Sequence, residues 1–468
     1  MADGLTAKLA LARAVGAVSR LRGGGATSAP GKVLMRMEPG AIGTLAARLP
    51  QGSALVSATN GKTTTAAMTA AILQQAGIQL VHNQAGANMA GGIATTLLHA
   101  ARPGAKMAGE FGLFEVDELW LPTLTEQLKP RAILLGNLFR DQLDRYGELD
   151  TIAERWQEVV QSSDAQLVLN ADDPMVADLG REHPRALYFG LQDDSLSLPG
   201  MAHAADAKHC RRCGAPYVFD AIYLGHLGRY HCANCGRTRP QPEVTASNVR
   251  LEGLRAAHFT LATPAGSAEI SLALPGLYNV YNGLAAAALA TALDIPLPTI
   301  AAGLASSRAA FGRAETVSLN VTAANGAARH QRELQILLVK NPAGANEVLR
   351  TLALEAGEHD VLGVLNDRIA DGRDVSWVWD ADFELLAGRI RTFTCSGTRA
   401  ADLATRLKYA GVDPTRIRVQ SDLARALSEA AKDEPPGGAP LYALPTYTAM
   451  LALRELLVAR GEASSAWA

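Results

Sequence analysis

A chain of 468 residues is too long for one ordinary domain, and two or three are expected. With 48% apolar and 19% charged residues, the composition excludes a disordered or fibrous protein. The near-balance of 44 basic against 46 acidic residues removes the charge excess that wrapping nucleic acid requires.

In chain order, residues 5–22 read as a short amphipathic helix interrupted by Lys8, Arg13, Arg20 and Arg22. Such a helix suits packing on the next domain better than lying on a membrane surface. Nowhere is an apolar run long enough for a signal-peptide core or a membrane span, so no transmembrane segment and a cytoplasmic setting are expected. The Gly-rich stretch 23–31, with Pro30, reads as a linker, so residues 1–45 form a first unit of helix and linker. From about residue 50, short apolar runs alternate with Ala-rich helical ones. Ala54-Leu55-Val56 precedes a helix over 63–75, which Gly77 ends. Ala132-Ile133-Leu134-Leu135 precedes Asn137, and Leu167-Val168-Leu169 precedes Asn170-Ala171-Asp172-Asp173-Pro174. Polar residues just after short buried strands are what a parallel α/β sheet presents at its ligand-binding edge. The rhythm breaks between about 204 and 242, then resumes with a strand at 271–274 and a helix after Asn279. Residues 322–332 read as a surface loop or hairpin. A second α/β series follows, with strands at 334–339, 361–365, 390–395, 416–419 and 441–443. No solenoid-type repeat is present. The expected domains are 46–310, carrying an insert at about 205–240, and 311–468.

The run Ser57-Ala58-Thr59-Asn60-Gly61-Lys62-Thr63-Thr64-Thr65 follows a strand and opens a helix. Small residues let backbone N–H groups reach phosphate oxygens, and the helix N-terminus favours the anion. Lys62 suits the β- and γ-phosphates of ATP, and the Thr63 hydroxyl suits Mg2+. Val56 stands where the general phosphate-loop pattern has its first glycine, so the variant T-N-G-K-T-T-T carries the assignment. Downstream, Glu115-Val116-Asp117-Glu118 suits holding a second Mg2+ or positioning water around the first, and a dense polar run extends from Asn137 to Gly147. Each alone reads as a solvated loop; their shared placement after strands points to one site.

Four of the five cysteines form two pairs, Cys210-Arg-Arg-Cys213 and Cys232-Ala-Asn-Cys235, separated by residues 214–231. Two C-x-x-C turns at this distance are zinc-ribbon spacing. With no secretory signal, Zn2+ is a better reading than disulfides, and an iron site or redox pair comes behind it. Four thiolates leave no open coordination position, so the ribbon is structural. The fifth, Cys395, lacks the preceding glycine of a nucleophile elbow and reads as a buried strand-end thiol. This chain alone is not expected to hydrolyse glutamine. In the last domain Asp371, Asp374 and Asp380 crowd with Trp377 and Trp379 into the run Asn366–Asp380. That run reads equally as an exposed acidic loop or as a charged site against an apolar wall.

Thr59 to Thr65, Glu115, the N-x-x-x-D-x-L-D pattern of Asn137 to Asp144 and the Y-N-x-x-N of Tyr278 to Asn282 resemble the central domain of Mur ligases. These enzymes join amino acids to peptidoglycan precursors through an acyl phosphate. The resemblance implies a parallel-sheet ATPase domain, with Thr59, Asn60, Gly61, Lys62, Thr63, Thr64 and Asn137 around the nucleotide and Glu115 serving Mg2+. It also implies Asn279 and Asn282 beside the adenine and Arg313 near the γ-phosphate. Two departures stand out. Gln142 replaces the metal-binding histidine of D-H-x-D, and no lysine occurs between Lys129 and Lys208 to be carbamoylated.

Val339 to Asn346, the A-D-G-R-D-x-S-W run and Tyr447 to Leu451 together resemble the ligase subunits of lipid II isoglutaminyl synthases, the MurT/GatD family. A zinc ribbon within the central domain is also a feature of that family. The resemblance runs from Pro30 to Leu457. It implies a Rossmann-like C-terminal domain and ATP-dependent amidation of D-isoglutamate in the lipid II stem peptide, at the inner face of the cell membrane. The ammonia would come from a GatD-type glutaminase in a heterodimer. Asp380, with Asp374 and Asp371 behind it, would serve the partner's catalytic histidine or the ammonia step. A stand-alone amino-acid ligase of Mur or folylpolyglutamate type is the alternative. A nucleotide-switched scaffold whose ribbon binds nucleic acid is the remaining, non-enzymatic reading.

Overall fold

The structure is a computed structural model and describes residues 2–21, 28–83, 87–103, 106–141, 149–201, 205–308, 313–322, 329–432 and 438–463. Helix α1 (Ala2–Leu21) packs on α2 (Ala29–Met37), which is followed by α3 (Ala41–Ala46). Leu9 and Ala12 are buried, so α1 covers a domain face as its apolar stripe requires. The linker expected over 23–31 is corrected at its end: α2 already begins at Ala29. Pro30 is accommodated in the first helical turn. Gly31 is there because a Cβ would fall on the Gly91 carbonyl of the helix packed against α2.

The central sheet contains β1 (Ser53–Ser57), then α4 (Lys62–Gln75), β2 (Leu80–His82), α5 (Ala90–Ala100), β3 (Phe111–Glu115), α6 (Leu121–Leu128) and β4 (Ala132–Leu135). It continues through α7 (Leu149–Ser162), β5 (Gln166–Asn170), α8 (Pro174–Leu179) and β6 (Ala186–Leu191). These strands are parallel, in spatial order 6-5-4-1-3-2. Alternate residues serve opposite faces. Ala54, Val56, Leu113 and Leu134 join a core with Met68 and Ile72 of α4. Leu55, Phe114, Ile133 and Leu135 join another with Leu34, Leu97 and the fully buried Trp156. Each large aliphatic side chain so buried contributes roughly 1.5–3 kcal/mol.

After β6 the chain leaves the sheet for a separate hairpin, β7 (Val218–Leu224) and β8 (Leu227–His231), within the cysteine-rich segment. It returns as β9 (Val244–Glu252), parallel to β6, and adds β10 (Ala256–Thr263) and β11 (Gly266–Leu272) antiparallel at the edge. Sequence reading had placed only a strand at 271–274 here. Next come α9 (Leu277–Ala292), which starts before Asn279 rather than after it, and α10 (Leu297–Ser306).

The second sheet opens with an antiparallel hairpin, β12 (Arg313–Thr322) and β13 (Arg329–Leu337). The segment expected as a loop or hairpin at 322–332 thus falls at the ends of two paired strands that reach well beyond it, with residues 323–328 outside the described ones. Then follow α11 (Pro342–Ala353), β14 (His359–Val364), β15 (Ile390–Ser396), α12 (Ala400–Tyr409), β16 (Ile417–Val419), α13 (Leu423–Lys432), β17 (Leu441–Pro445) and α14 (Tyr447–Ala459). Apart from β12 the strands are parallel, ordered 13-17-14-15-16. The fold is α/β, with two mainly parallel sheets whose loop edges meet.

Candidate active site and metal cluster

The order of the first sheet reverses at β1, which lies between β3 and β4, and a parallel sheet opens its crevice at such a point. The loop after β1 occupies it. Gly61 takes φ +83°, and a Cβ there would fall on Asn282 Oδ1, so only glycine fits. The neighbouring loop fixes the rest. Asn60 N–H donates to Asn137 Oδ1 at 2.8 Å, Asn137 Nδ2 donates back to Asn60 O at 3.0 Å, and Phe139 N–H donates to Thr59 Oγ1 at 3.1 Å. Asn137 therefore commits its amide to shaping the loop.

Lys62 opens α4 and donates to Glu118 Oε2 at 2.8 Å and to the Ala58 carbonyl. Burial pulls its pKa down. Glu118, helped by Glu115 and Asp117, overcomes that pull, so the pKa ends above the usual lysine value and the ammonium is kept. The acidic run thus divides: Glu118 neutralises Lys62, while Glu115, at the end of β3, is buried at the cleft with Asn88 Nδ2 donating to it at 3.3 Å. Glu115 and the Thr63 hydroxyl line the same cleft and are hard oxygen donors of the kind Mg2+ takes.

The second domain closes on this loop. Lys340, after β13, donates to the Thr59 carbonyl at 3.0 Å and pairs with the Asp141 carboxylate. Asn341 exchanges amide hydrogen bonds with Asn60, at 2.9 and 3.3 Å, while its own Oδ1 caps α11 by accepting from Gly344 N–H at 2.9 Å. Burial pushes the Asp141 carboxyl above its ordinary pKa even though Lys340 pulls it down. Sequence reading missed Lys340 and Asn341 as site residues and included Asp141 only within the polar run after β4. The available signal was the one used elsewhere, polar residues directly after a buried strand.

Between these groups lies a cavity of about 360 Å3 that Thr59, Asn60, Gly61, Lys62, Thr63, Thr64, Glu115, Asn137, Asn279 and Asn282 all line. Asn279 and Asn282 sit in the first turns of α9. Asn282 Nδ2 donates to Asn279 Oδ1 at 3.1 Å, and Thr65 Oγ1 donates to Asn282 Oδ1 at 3.3 Å, which ties α9 to α4. Arg313 starts β12, paired through its backbone with Leu337; its side chain, like Gln142 and Asp144, lies outside the described residues.

The three aspartates do not converge. Asp371 is buried and accepts from Thr448 N–H at 2.7 Å and from the Thr448 hydroxyl, holding the start of α14. Asp374 accepts from Ser376 N–H at 2.8 Å, which lowers its pKa. Asp380 is half-exposed and faces the first domain, 3.4 Å from Arg140, whose guanidinium also pairs with Asp206. Cys395 is buried, and burial pushes its thiol up to about 12.

The four remaining cysteines form one cluster: Cys210 Sγ is 3.7 Å from Cys235 Sγ, and Cys213 Sγ is 3.5 Å from Cys232 Sγ. A tetrahedron with metal–sulfur bonds of ~2.3 Å has edges of about 3.8 Å, so the four thiols fit one metal ion. The Asn234 side chain and the Ala215 amide hold Cys213 down to about 6. The Arg237 amide also pulls on Cys235, but burial and the neighbouring sulfurs push that thiol up to about 11. A cation is what lets all four be thiolates together.

Residues 56–290 match the Mur ligase middle domain, and residues 338–450 match the MurT ligase C-terminal family. The chain is 32% identical, over 96% of its own length and 96% of the relative's, to the Staphylococcus aureus (strain N315) lipid II isoglutaminyl synthase (glutamine-hydrolyzing) subunit MurT. Among solved structures, a pseudomurein peptide ligase type C from Methanothermus fervidus superposes with a TM-score of 0.64 at 21% identity. That match covers 89% of this chain and 80% of the other. MurF ligase from Thermotoga maritima, solved in complex with ADP, gives 0.60 at 15% identity over 91% and 83%. These last two likenesses show the fold.

Proposed function

Because this chain belongs to the family of MurT subunits, we propose that it is the ATP-dependent ligase subunit of a glutamine-hydrolysing lipid II isoglutaminyl synthase. The observation that carries this reading is the closure of two domains on one phosphate loop, with Lys62, Lys340, Glu115 and Asp141 around a single cavity.

The chemistry follows from those groups. The backbone N–H groups at the start of α4 and the Lys62 ammonium bind the phosphates of ATP, and Glu115 with Thr63 would hold Mg2+, which supplies neutralisation of phosphate charge. A substrate carboxylate oxygen, the α-carboxylate of D-isoglutamate in the stem peptide, attacks the γ-phosphorus. ADP leaves and an acyl phosphate forms. Ammonia then attacks the acyl carbon, and phosphate departs with the bonding electrons. The nitrogen loses a proton, leaving the D-isoglutamine amide. Lys340 is placed to steady charge on the transferred group, and a buried Asp141 keeps Lys340 directed at the loop. The cysteine cluster would hold Zn2+, whose chemistry is a tetrahedral cross-link.

A nitrogen donor must be supplied from outside. The one cysteine beyond the cluster, Cys395, is buried with its thiol proton held firmly, so it offers no nucleophile for glutamine. A GatD-type glutaminase fills that need, and Asp380, exposed at the domain junction, is the residue we assign to its side of the reaction, ahead of Asp374 and Asp371. Among the described residues no helix is long and apolar enough to cross a membrane. The family reading puts the encounter with lipid II at the inner membrane face, from the cytoplasm. The stand-alone amino-acid ligase is disfavoured by the match to MurT along nearly the whole chain.

The test is reconstitution with lipid II, ATP and Mg2+, read by mass spectrometry of the stem peptide. Amidation from ammonium by this chain alone, and from glutamine only when the glutaminase is added, is the expected result. ATP consumption without amide formation, or addition of free amino acids, would overturn the assignment.

A further inference from the structure

The cysteine cluster and the nucleotide cleft are joined by one continuous path of contacts. At the far end of the β7–β8 hairpin from the cysteines, Leu224 and Leu227 line the cleft wall. Between them Gly225 takes φ +60° with its backbone against Phe139, so closely that a Cβ would meet the ring at 2.8 Å. His226 is fully buried, its ring centroid 4.5 Å from that of Phe139. Its Nδ1 accepts from Asp206 N–H at 3.3 Å, and its Nε2 lies 3.4 Å from Asp173 Oδ2. Phe139 in turn bonds Thr59 of the phosphate loop, and Asp173 Oδ2 accepts from Leu138 N–H at 2.8 Å. The hairpin tip therefore presses on the segment that shapes the loop.

The ribbon is also pinned from its cysteine end. Arg237 pairs with Asp178, and Arg239 with Asp172, both at 2.6 Å; Asp172 also accepts from Tyr281 OH at 2.7 Å, and Tyr281 lines the cleft. The tip half of the hairpin is held by the central core through Ala221, Tyr223, Leu224 and Leu227, whereas the cysteine half has only Cys210, Tyr217, Tyr230 and Cys232 with a few half-buried neighbours. A core that small does not hold the cysteine half in register with the tip without its cross-link.

We propose that the ribbon is a strut of the nucleotide cleft: the metal-held hairpin sets the position of Phe139 and Thr59, so metal loading sets nucleotide affinity. The inference rests on the nucleotide-binding reading above. It gives the ribbon a role in positioning and none in the chemistry.

The experiment uses the full-length protein and mant-ADP with Mg2+ as the fluorescent probe. Zinc-loaded, chelator-stripped and zinc-reloaded wild type are compared with zinc-loaded His226→Ala. Stripping and His226→Ala should each raise the Kd about tenfold, equivalent to roughly 1.4 kcal/mol, and reloading should restore it. Amide exchange of residues 57–65 should speed up in the same samples while that of β14 stays constant, a local pattern that general loss of stability does not produce. His226→Ala with full zinc content, wild-type Kd and unchanged exchange at 57–65 would overturn the strut. Stripped protein that stays folded with the wild-type Kd would overturn it as well, and where stripping unfolds the chain His226→Ala tests the link from the hairpin tip to the loop. Zinc-loaded wild type that fails to bind mant-ADP would instead sink the nucleotide reading, and this inference with it.

Discussion

The two parallel sheets present polar loops at the ends of their strands in the same way, but they present them to different surroundings. In the first sheet the loop after β1 is half-buried and cross-tied: the Asn60 backbone, Thr59 Oγ1 and Lys62 Nζ all have protein partners before any ligand arrives. In the second, the loop after β14 opens to solvent, with Ile369 75% and Trp379 51% exposed and Asp380 beside them. A preformed, enclosed loop suits a small charged ligand whose phosphates need fixed dipoles. An open loop with an exposed tryptophan and isoleucine suits a macromolecular partner. The same strand-end rule therefore yields one internal site and one outward-facing surface.

The comparison breaks most sharply at Lys62. Lys62→Ala should lower the rate of lipid II-dependent ADP release roughly 10²–10³-fold, and a smaller loss would mean the enclosed loop is not the phosphate site. Next, Asp380→Asn should cost about a hundredfold in glutamine-driven amidation while ammonium-driven amidation changes less than twofold. Equal loss on both routes would place Asp380 inside the ligase reaction and remove the distinction between the two loops.

Metal retention should depend on pH. Because the metal takes only thiolates and Cys235 carries its proton at neutrality, affinity should fall at least about tenfold per pH unit on acidification. The fall should steepen below about pH 6, where Cys213 also protonates. Zinc release followed with a chromophoric chelator would check this. Lys340→Ala, which opens the contact between the sheets, should reduce kcat/KM for ATP about tenfold, measured by coupled phosphate release. Smallest, Asp371→Ala should cost about 1 kcal/mol in a denaturant melt, as the loss of a helix-start bond does.

Local features were legible in the sequence. The strand, small residues, lysine and helix start of the phosphate loop lie within one short run, and the two C-x-x-C turns announce a tetrahedral site by spacing alone. What escaped depends on partners far along the chain. Lys340 finds Asp141 and Asn341 finds Asn60 across two domains, and no local pattern carries that pairing. Gly31 looked like part of a linker because its reason, the Gly91 carbonyl, sits on another helix. Of β9–β11 only the end of β11 was anticipated, because their alternation of buried and exposed residues is a weaker signal than the continuous apolar runs of the parallel strands. Asp371 had the right residue type for chemistry, and only its bond to Thr448 reveals a helix-start role.

The place where the cysteine-rich segment enters the fold has a consequence for anyone wishing to excise it. Its two ends join β6 and β9, which lie side by side and point the same way. Neighbours in that orientation cannot be linked by a tight turn, since the chain must first travel back the length of the strand, which takes a dozen or more residues. Residues 192–243 are that return journey. Cutting them out and closing the gap with a short glycine linker would force β9 to reverse or detach, and β10 and β11, which pair onward from it, would go with it.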